Sequence, residues 1–412
     1  MKTLFCLRSS PCPPIGGAPL RNWQNINAMA QHGPVAIFSA FPGEPASTQQ
    51  PFGPWEHFNI RDMSYAEPEH WHDYLFALRP WGHEACDRYF RPAAAQQLQA
   101  LLQSFQPDWV VLGEPWMYRY WPTIRAFTRK IIFDNHNVEA QVSLYQDRLP
   151  RRPGLRAKLE ARLRHQQVLN LERTLCRRSR QVWVCSDLDR AELTQLYGLP
   201  PKQVSVIPNG IDIDRFEPVR ENRLPLPAPL KPEDTAILFA ATFDYSANIW
   251  AAEWLLTEIY PRLQQQRPDL KLMLVGRAPT PLMQAAAQQN SNIIVPGIVD
   301  DILPYYQAAA AVVVPLRHGS GTRLKLLEAF AAKRAVVSTA KGAEGLAVVS
   351  GQHLVLAETA EAIANQLLQL LQDNAQAQQL QDQAFALVRS QHSWELSQSW
   401  VQQSMERLGS VL

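Results

Sequence analysis

Twelve short, continuously apolar runs punctuate this chain, each followed by a stretch with helical spacing, and that alternation limits the fold more than any other feature. The first six are TLFCL (3–7), VAIFSA (35–40), WVVLG (109–113), KIIFDNH (130–136), QVWVCS (181–186) and VSVIP (204–208). After the proline-rich PLPAPLKPED (225–234) the pattern restarts with AILFAAT (236–242), KLMLVG (271–276), NIIVPG (292–297), AVVVPL (311–316), AVVSTA (335–340) and HLVLA (353–357). Continuous rather than alternating hydrophobicity requires strands buried on both faces, and helices between them make the connections parallel crossovers. The restart divides the strands into two sets. The expected fold is therefore α/β, with two doubly wound parallel sheets, and 412 residues exceed what one core supports.

Composition narrows the partners. With 40 Lys and Arg against 38 Asp and Glu, the formal net charge is +2, so the chain as a whole is not built to coat nucleic acid. Cys6, Cys12, Cys86, Cys176 and Cys185 are odd in number and scattered, without a Cys-x-x-Cys pair. They indicate neither a disulfide framework nor a zinc site, and they fit a reducing cytoplasm. No apolar stretch approaches the roughly 18 residues needed to span a bilayer, and MKTLFCLRSSPCPP turns polar too soon for a signal peptide. Two Asp-x-Asp triplets have metal-binding spacing. Asp187 and Asp189 follow Ser186 at a helix start, where capping explains them, and Asp212 and Asp214 follow the Asn209-Gly210 turn, so no metal is expected.

The run with most chemistry is RHGSGTRLKLLEAFAAKRAVVSTAKGAEGL (317–346), directly after an apolar stretch. Gly319 and Gly321 permit a sharp turn and a close backbone approach to a ligand. The helix they open presents unpaired N–H groups carrying about half a positive charge, which suits phosphate. At about 100° per residue, Lys325 and Glu328 share one stripe, while Leu324, Leu327, Phe330 and Ala331 form another that reads as core. With the lysine nearer the anion-binding end, the pair suits a nucleotide diphosphate: Lys325 on phosphate, Glu328 accepting from ribose hydroxyls. Arg323 sits on the core side and reaches phosphate only by curling forward. The same residues also describe a capped surface helix with an ordinary Lys–Glu pair.

Three other segments stand out. Gly16 and Gly17 follow the first apolar run, and His136 and Glu139 follow the fourth, at the carboxyl ends of strands where α/β sheets bind ligands. A histidine donates or accepts near neutrality, so His136 suits contact with a reacting sugar or acceptor. Residues 151–180 are dominated by arginine, with Glu160 and Glu172 the only acids. Leu155, Leu159, Leu163, Val168, Leu171 and Leu175 follow a helical spacing there. This is a basic amphipathic helix or pair of helices, read either as a solvated face or as a surface for anionic lipid or a phosphorylated carrier. Residues 41–121 are rich in aromatic side chains, among them Trp55, Trp71, Trp81 and Trp116, which serve packing or sugar stacking.

Taken together, CSDLDRAELTQLYGLPPKQVSVIPNGIDIDRF (185–216) and PLRHGSGTRLKLLEAFAAKRAVVSTAKGAEGL (315–346) resemble the family 4 retaining glycosyltransferases (glycosyl transferases group 1), which have the GT-B fold. PPIGGAPLR (13–21), FDNHNVE (133–139) and FDYSANIWAAEWLLTEIYPRL (243–263) support the likeness. It implies two Rossmann-like domains facing across a cleft. Residues 1–208 would form the acceptor side, with the helix 394–412 packing back on it, and residues 209–393 would bind the nucleotide-sugar. The implied donor is a nucleotide diphosphate sugar, with no cofactor and no metal. The implied acceptor is a glycan or lipid-linked hydroxyl in polysaccharide or glycoconjugate biosynthesis, at the cytoplasmic face of the membrane.

On that likeness Glu328 takes the ribose, Lys325 and Arg323 the diphosphate, and the backbone amides of Gly321 and Thr322 the distal phosphate or sugar. Ile298 contacts the base through its backbone, the Gly16–Gly17 loop closes on the diphosphate, and His136 lies near the transferred sugar. There are two departures. Ser320 stands where the family often has a carboxylate on sugar hydroxyls, and Asp244 and Asn248 stand where it often has an Arg and a Lys. A nucleotide-sugar epimerase of the same architecture, and a non-catalytic glycan- or carrier-binding partner, are the alternative readings.

Overall fold

The computed structural model describes residues 1–12, 16–41, 56–59, 84–146, 155–319 and 323–409. It divides into two compact units, Met1–Asn209 with Ser397–Leu412, and Gly210–Leu396. The first carries β1 (Thr3–Ser9), β2 (Val35–Phe41), β3 (Glu56–Asn59), β4 (Trp109–Gly113), β5 (Ile131–Asp134), β6 (Gln181–Val184) and β7 (Val204–Val206). They form one parallel sheet in the order β3-β2-β1-β4-β5-β6-β7. In the second unit, β8 (Ala236–Ala240), β9 (Lys271–Val275), β10 (Ile293–Gly297), β11 (Ala309–Val314), β12 (Ala335–Ser338) and β13 (Val355–Leu356) form a second parallel sheet. Its order is β10-β9-β8-β11-β12-β13. All twelve apolar runs contribute a strand; β3, inside the aromatic-rich region, is the strand that hydrophobic continuity did not signal.

The burial pattern explains that continuity. Successive residues of a strand point to opposite faces, and in the first unit both faces are covered. Leu4, Cys6, Val110 and Leu112 enter one apolar layer, while Phe5, Leu7, Val111 and Ile132 enter another. The second layer is completed from the far end of the chain. In the helix Trp394–Gly409, residues from Ser397 onward belong to the first unit, where Val401, Met405 and Leu408 join Phe5, Ile132 and Trp183. Trp183 Nε1 donates to Ser404 Oγ at 2.9 Å, satisfying a polar atom buried with the ring.

Residues 155–178 form one helix rather than two, Leu155–Arg178. Val168, Leu171 and Leu175 are buried, whereas Leu159 and Leu163 remain 60% and 53% exposed. The amphipathic stripe is thus covered only in its second half. Of the aromatic region, residues 42–55 and 60–83 lie outside the described residues; Tyr120 and Trp121 are buried, with Tyr120 edge-on to Phe38 at 5.3 Å. Among the described residues no helix is long and apolar enough to cross a membrane.

Each sheet has one point where its strand order reverses, between β1 and β4 in the first unit and between β8 and β11 in the second. The crossovers leave such a point on opposite faces, opening a crevice at the carboxyl ends of the strands. The segments beginning at Gly16, Glu114, Thr242 and Arg317 follow these four strands, so topology alone marks two candidate crevices. Removing two methyl groups from the C-terminal helix where it meets the first core, Val401→Ala, should cost about 2 kcal/mol in denaturant unfolding. A loss below about 0.5 kcal/mol would mean that this side chain is not part of that core.

Candidate functional site

The second unit's crevice is built from three elements. After β11 the chain passes Gly319, whose φ of +101° is a backbone conformation that favours glycine. The helix that follows is Leu324–Ala331, with Arg323 at its N-cap, so it begins later than the glycines suggest. Its apolar side is Leu326, Leu327, Ala329, Phe330 and Ala331, while Leu324, expected in the core, is half-buried. Lys325 and Glu328 stand half-buried one turn apart on the other side. Ser320, Gly321 and Thr322, candidates for phosphate and sugar contact, lie outside the described residues.

Lys325 Nζ donates to Asn248 Oδ1 at 2.8 Å and lies 4.6 Å from the centre of the Phe239 ring. Asn248 is buried, and its amide in turn donates to the Thr242 carbonyl at 2.8 Å, which fixes the orientation of its oxygen. Burial, and then the neighbouring Arg323 guanidinium, bring the Lys325 ammonium down to about 7, against a smaller opposite pull from Glu328. Glu328 accepts from the Tyr306 hydroxyl at 2.8 Å. Burial raises its carboxyl above the usual range, and Tyr306 and Arg215 oppose that rise. Tyr306 is fully buried and edge-on to Phe216 at 5.9 Å. Arg323, 6% exposed, lies 3.9 Å from Glu344 and 3.5 Å from the Lys341 carbonyl. Asp244, the other departure from the family pattern, pairs with Arg277 at 2.6 Å. Ile298 is 79% exposed, an apolar side chain left open to solvent.

In the first unit Gly16 adopts φ 86° at the N-cap of the helix Gly17–Ala30, a left-handed position where no side chain intrudes. Within about one and a half turns that helix buries four polar side chains, Arg21, Asn22, Gln24 and Asn25. Arg21 Nε and Nη2 donate to Asp134 Oδ1 at 3.0 and 2.6 Å, and Asn25 donates to Asp134 Oδ2 at 2.8 Å. His136 Nε2 lies 3.4 Å from the same Oδ2. Burial alone would raise the Asp134 carboxyl, but Arg21 and then His136 outweigh it and hold Asp134 well below the usual carboxylate range. Arg21 Nη1 also donates to the Ile207 carbonyl and Asn209 Oδ1, at 2.7 and 2.9 Å.

A second buried carboxylate orders the segment after β5. Glu172, fully buried in the basic helix, accepts from Asn135 Nδ2 and the Glu139 amide with one oxygen, and from the Ala140 amide and the Tyr197 hydroxyl with the other. It thereby caps the helix Glu139–Gln146 and fixes the turn that carries His136. Sequence reasoning passed over Arg21 and Asp134 and read Glu172 as part of a solvated face. A lone acid among arginines, on the apolar stripe next to Leu171 and Leu175, was the signal available. Of the aspartate triplets, Ser186 caps its helix by accepting from the Asp189 amide at 3.1 Å, and Asp212 accepts from the Arg215 amide. Among the described residues no cluster of His, Cys, Asp and Glu has the arrangement of a metal site.

Comparison with known proteins falls on both units. Residues 66–215 match the family described as Glycosyltransferase Family 4, and residues 234–373 the family described as Glycosyl transferases group 1. A lipopolysaccharide 1,2-N-acetylglucosaminetransferase of Salmonella typhimurium is 25% identical over 213 residues, 48% of this chain and 55% of that protein. The chain spans about half the length of the curated relatives it matches. Among solved structures, sucrose-phosphate synthase from Thermosynechococcus elongatus superposes with a TM-score of 0.75 at 18% identity over 100% of both chains. HepE of Anabaena, in complex with UDP-glucose, gives a TM-score of 0.64 at 16% identity over 100% of both. Both show the same GT-B fold.

Replacing Asp134 by asparagine would leave the Arg21 guanidinium buried without its counter-charge, at a cost of about 3 kcal/mol. Because the folded-state pKa of Asp134 is depressed, its contribution is complete above the unfolded value of about 3.9 and is lost as pH falls further. Denaturant titrations of wild type and Asp134→Asn should therefore differ fully at neutral pH and converge in acid. Equal stabilities at neutral pH would show that the pair is not formed.

Proposed function

Because the chain belongs to the family 4 glycosyltransferases, we propose that it moves a sugar from a uridine diphosphate sugar to a hydroxyl of a glycan or lipid-linked acceptor, with retained anomeric configuration, in lipopolysaccharide or other polysaccharide biosynthesis. The observation that carries this reading is the Lys325–Glu328 pair: one cation and one carboxylate on one helix face, each held by a neutral partner. A lysine held by an amide oxygen, not by a carboxylate, has no ion-pair partner to give up when a phosphate arrives. Glu328 keeps one oxygen for a ribose hydroxyl while Tyr306 orients the other. The uridine assignment draws on HepE, crystallised with UDP-glucose, and the biosynthetic setting on the Salmonella transferase.

In this mechanism Lys325 and Arg323 stabilise the charge that gathers on the departing diphosphate, helped by the N-terminus of the Leu324–Ala331 helix and by amides of Gly321 and Thr322. Ile298 takes the base through its backbone; within the first unit, on this reading, Gly16 and Gly17 make an anion contact and His136 a sugar contact. The acceptor hydroxyl loses its proton to a diphosphate oxygen as the new glycosidic bond forms on the face that the leaving group vacates. Lys325→Ala should lower kcat roughly a hundredfold or more. Glu328→Gln should weaken UDP binding in calorimetry; unchanged turnover in the first variant and unchanged affinity in the second would sink these roles. An epimerase would instead release a changed nucleotide-sugar without any acceptor.

The Leu155–Arg178 helix adds a membrane surface to the proposal. Leu159 and Leu163 are exposed one turn apart, and Lys158, Arg162 and Arg164 are exposed beside them. Apolar side chains flanked by cations match an anionic interface. Sedimentation with phosphatidylglycerol vesicles at low salt is expected, and Leu159→Glu with Leu163→Glu should abolish it. A wild-type chain that stays in the supernatant would remove the membrane from the reading.

A further inference from the structure

A buried acid three residues beyond His136 takes no part in that chemistry. Glu139 is 8% exposed and opens the helix that follows β5; its Oε1 accepts from Asn137 Nδ2 at 3.1 Å, and among the described residues Oε2 makes no hydrogen bond. Burial, with the negative charge of Glu172 and Glu114 behind it, pushes the Glu139 carboxyl up to about 8, against the hydrogen bond from Asn137 and the more distant Arg8. At neutral pH it carries a proton and has an O–H to donate.

Its surroundings are those of a ligand crevice. Arg8 is near the end of β1, Glu114 directly follows β4 and Glu139 lies beyond the end of β5, three strands adjacent in the sheet, with the strand order reversing between the first two. Arg8 Nε pairs with Glu114 Oε2 at 3.2 Å. Three residues before Glu139, His136 is 7% exposed and its Nδ1 is buried without a hydrogen-bond partner among the described residues. The buried orphan ring nitrogen lacks what a ligand hydroxyl supplies, and Glu139 presents one oxygen outside the protein's own hydrogen bonds.

We propose that Glu139, together with the Arg8–Glu114 pair, forms a subsite for the vicinal hydroxyls of a neutral sugar, the acceptor of the transfer. The inference rests on the glycosyl-transfer reading for the word acceptor, but the subsite itself is a claim about sugar binding. Its chemistry selects against anions: the one guanidinium, Arg8, is already paired with Glu114, and Glu139 adds a second carboxyl side chain. Hydroxyls satisfy each group, donating to Glu114 and accepting from the Glu139 O–H and Arg8.

The test uses the full chain with 13C-labelled glutamate, titrated with the methyl glycosides of glucose, galactose, mannose and N-acetylglucosamine, and separately with UDP. At least one glycoside should shift the Glu139 carboxyl signal saturably. Glu139→Ala should weaken that binding about tenfold or more, whereas Glu139→Gln, whose amide still donates, should stay within about threefold. Raising the pH from about 7 to about 9 should weaken binding to wild type and leave Glu139→Gln unchanged. UDP affinity should be the same in all three proteins. The proposal is overturned if no glycoside shifts the Glu139 signal, or if Glu139→Ala binds as wild type does. If the alanine variant does not fold, Glu139→Asp, which withdraws the carboxyl by one methylene, gives the same reading. Failure of UDP to bind would count against the donor assignment and leave the subsite result standing.

Discussion

A lysine amine held by an amide oxygen above a phenyl ring, with no carboxylate in ion-pair contact among the described residues, sets the character of the second unit. Lys325 keeps that position because Asn248 is itself fixed by the Thr242 carbonyl and because Phe239 presents the negative face of its ring. A carboxylate partner would have kept the lysine fully charged and already neutralised. The amide does neither, so the site stays short of negative charge until a ligand brings it. Asn248 serves as the tether of Lys325, and on the proposed reading phosphate neutralisation falls to Lys325 and Arg323.

The first unit meets buried charge in three ways within a few residues. Asp134 is neutralised by Arg21 and stays ionised; Glu172 is saturated with four hydrogen bonds; Glu139 has neither compensation and keeps its proton. The first two are architectural. Arg21 ties the helix behind the Gly16 turn to the end of β5 and to Asn209, and Glu172 fixes the turn carrying His136 from the long basic helix. The residues that position His136 thus come from three separate elements, while His136 and Glu139 keep polar atoms unspent.

How much of this was legible depended on whether the signal was local. Both sheets followed from apolar continuity, because strands buried on two faces cannot alternate, and Lys325 and Glu328 followed from helical spacing. Their partners did not: Asn248 lies 77 residues and Tyr306 22 residues away in sequence, brought near by crossovers that spacing does not encode. The helix Gly17–Ala30 misleads in the opposite sense, since Arg21, Asn22, Gln24 and Asn25 look like a solvated face and are buried against Asp134 and the chain beyond β7. Glu172 escaped notice for the same reason. Polar residues that satisfy one another in the interior carry the composition of a surface, and only their position on an apolar stripe distinguishes them.

Assignment of Lys325 to the diphosphate is tested most directly by counting protons. In the empty site the lysine is brought to about 7, so at pH 8 it is mostly neutral, and a bound diphosphate must recharge it. Calorimetry of UDP binding at pH 8, in two buffers of different ionisation enthalpy, should register uptake of about one proton per UDP. The uptake should vanish in Lys325→Arg, whose guanidinium is charged throughout. Tight UDP binding by the wild-type chain with no proton uptake, and with the same affinity in Lys325→Ala, would contradict the assignment.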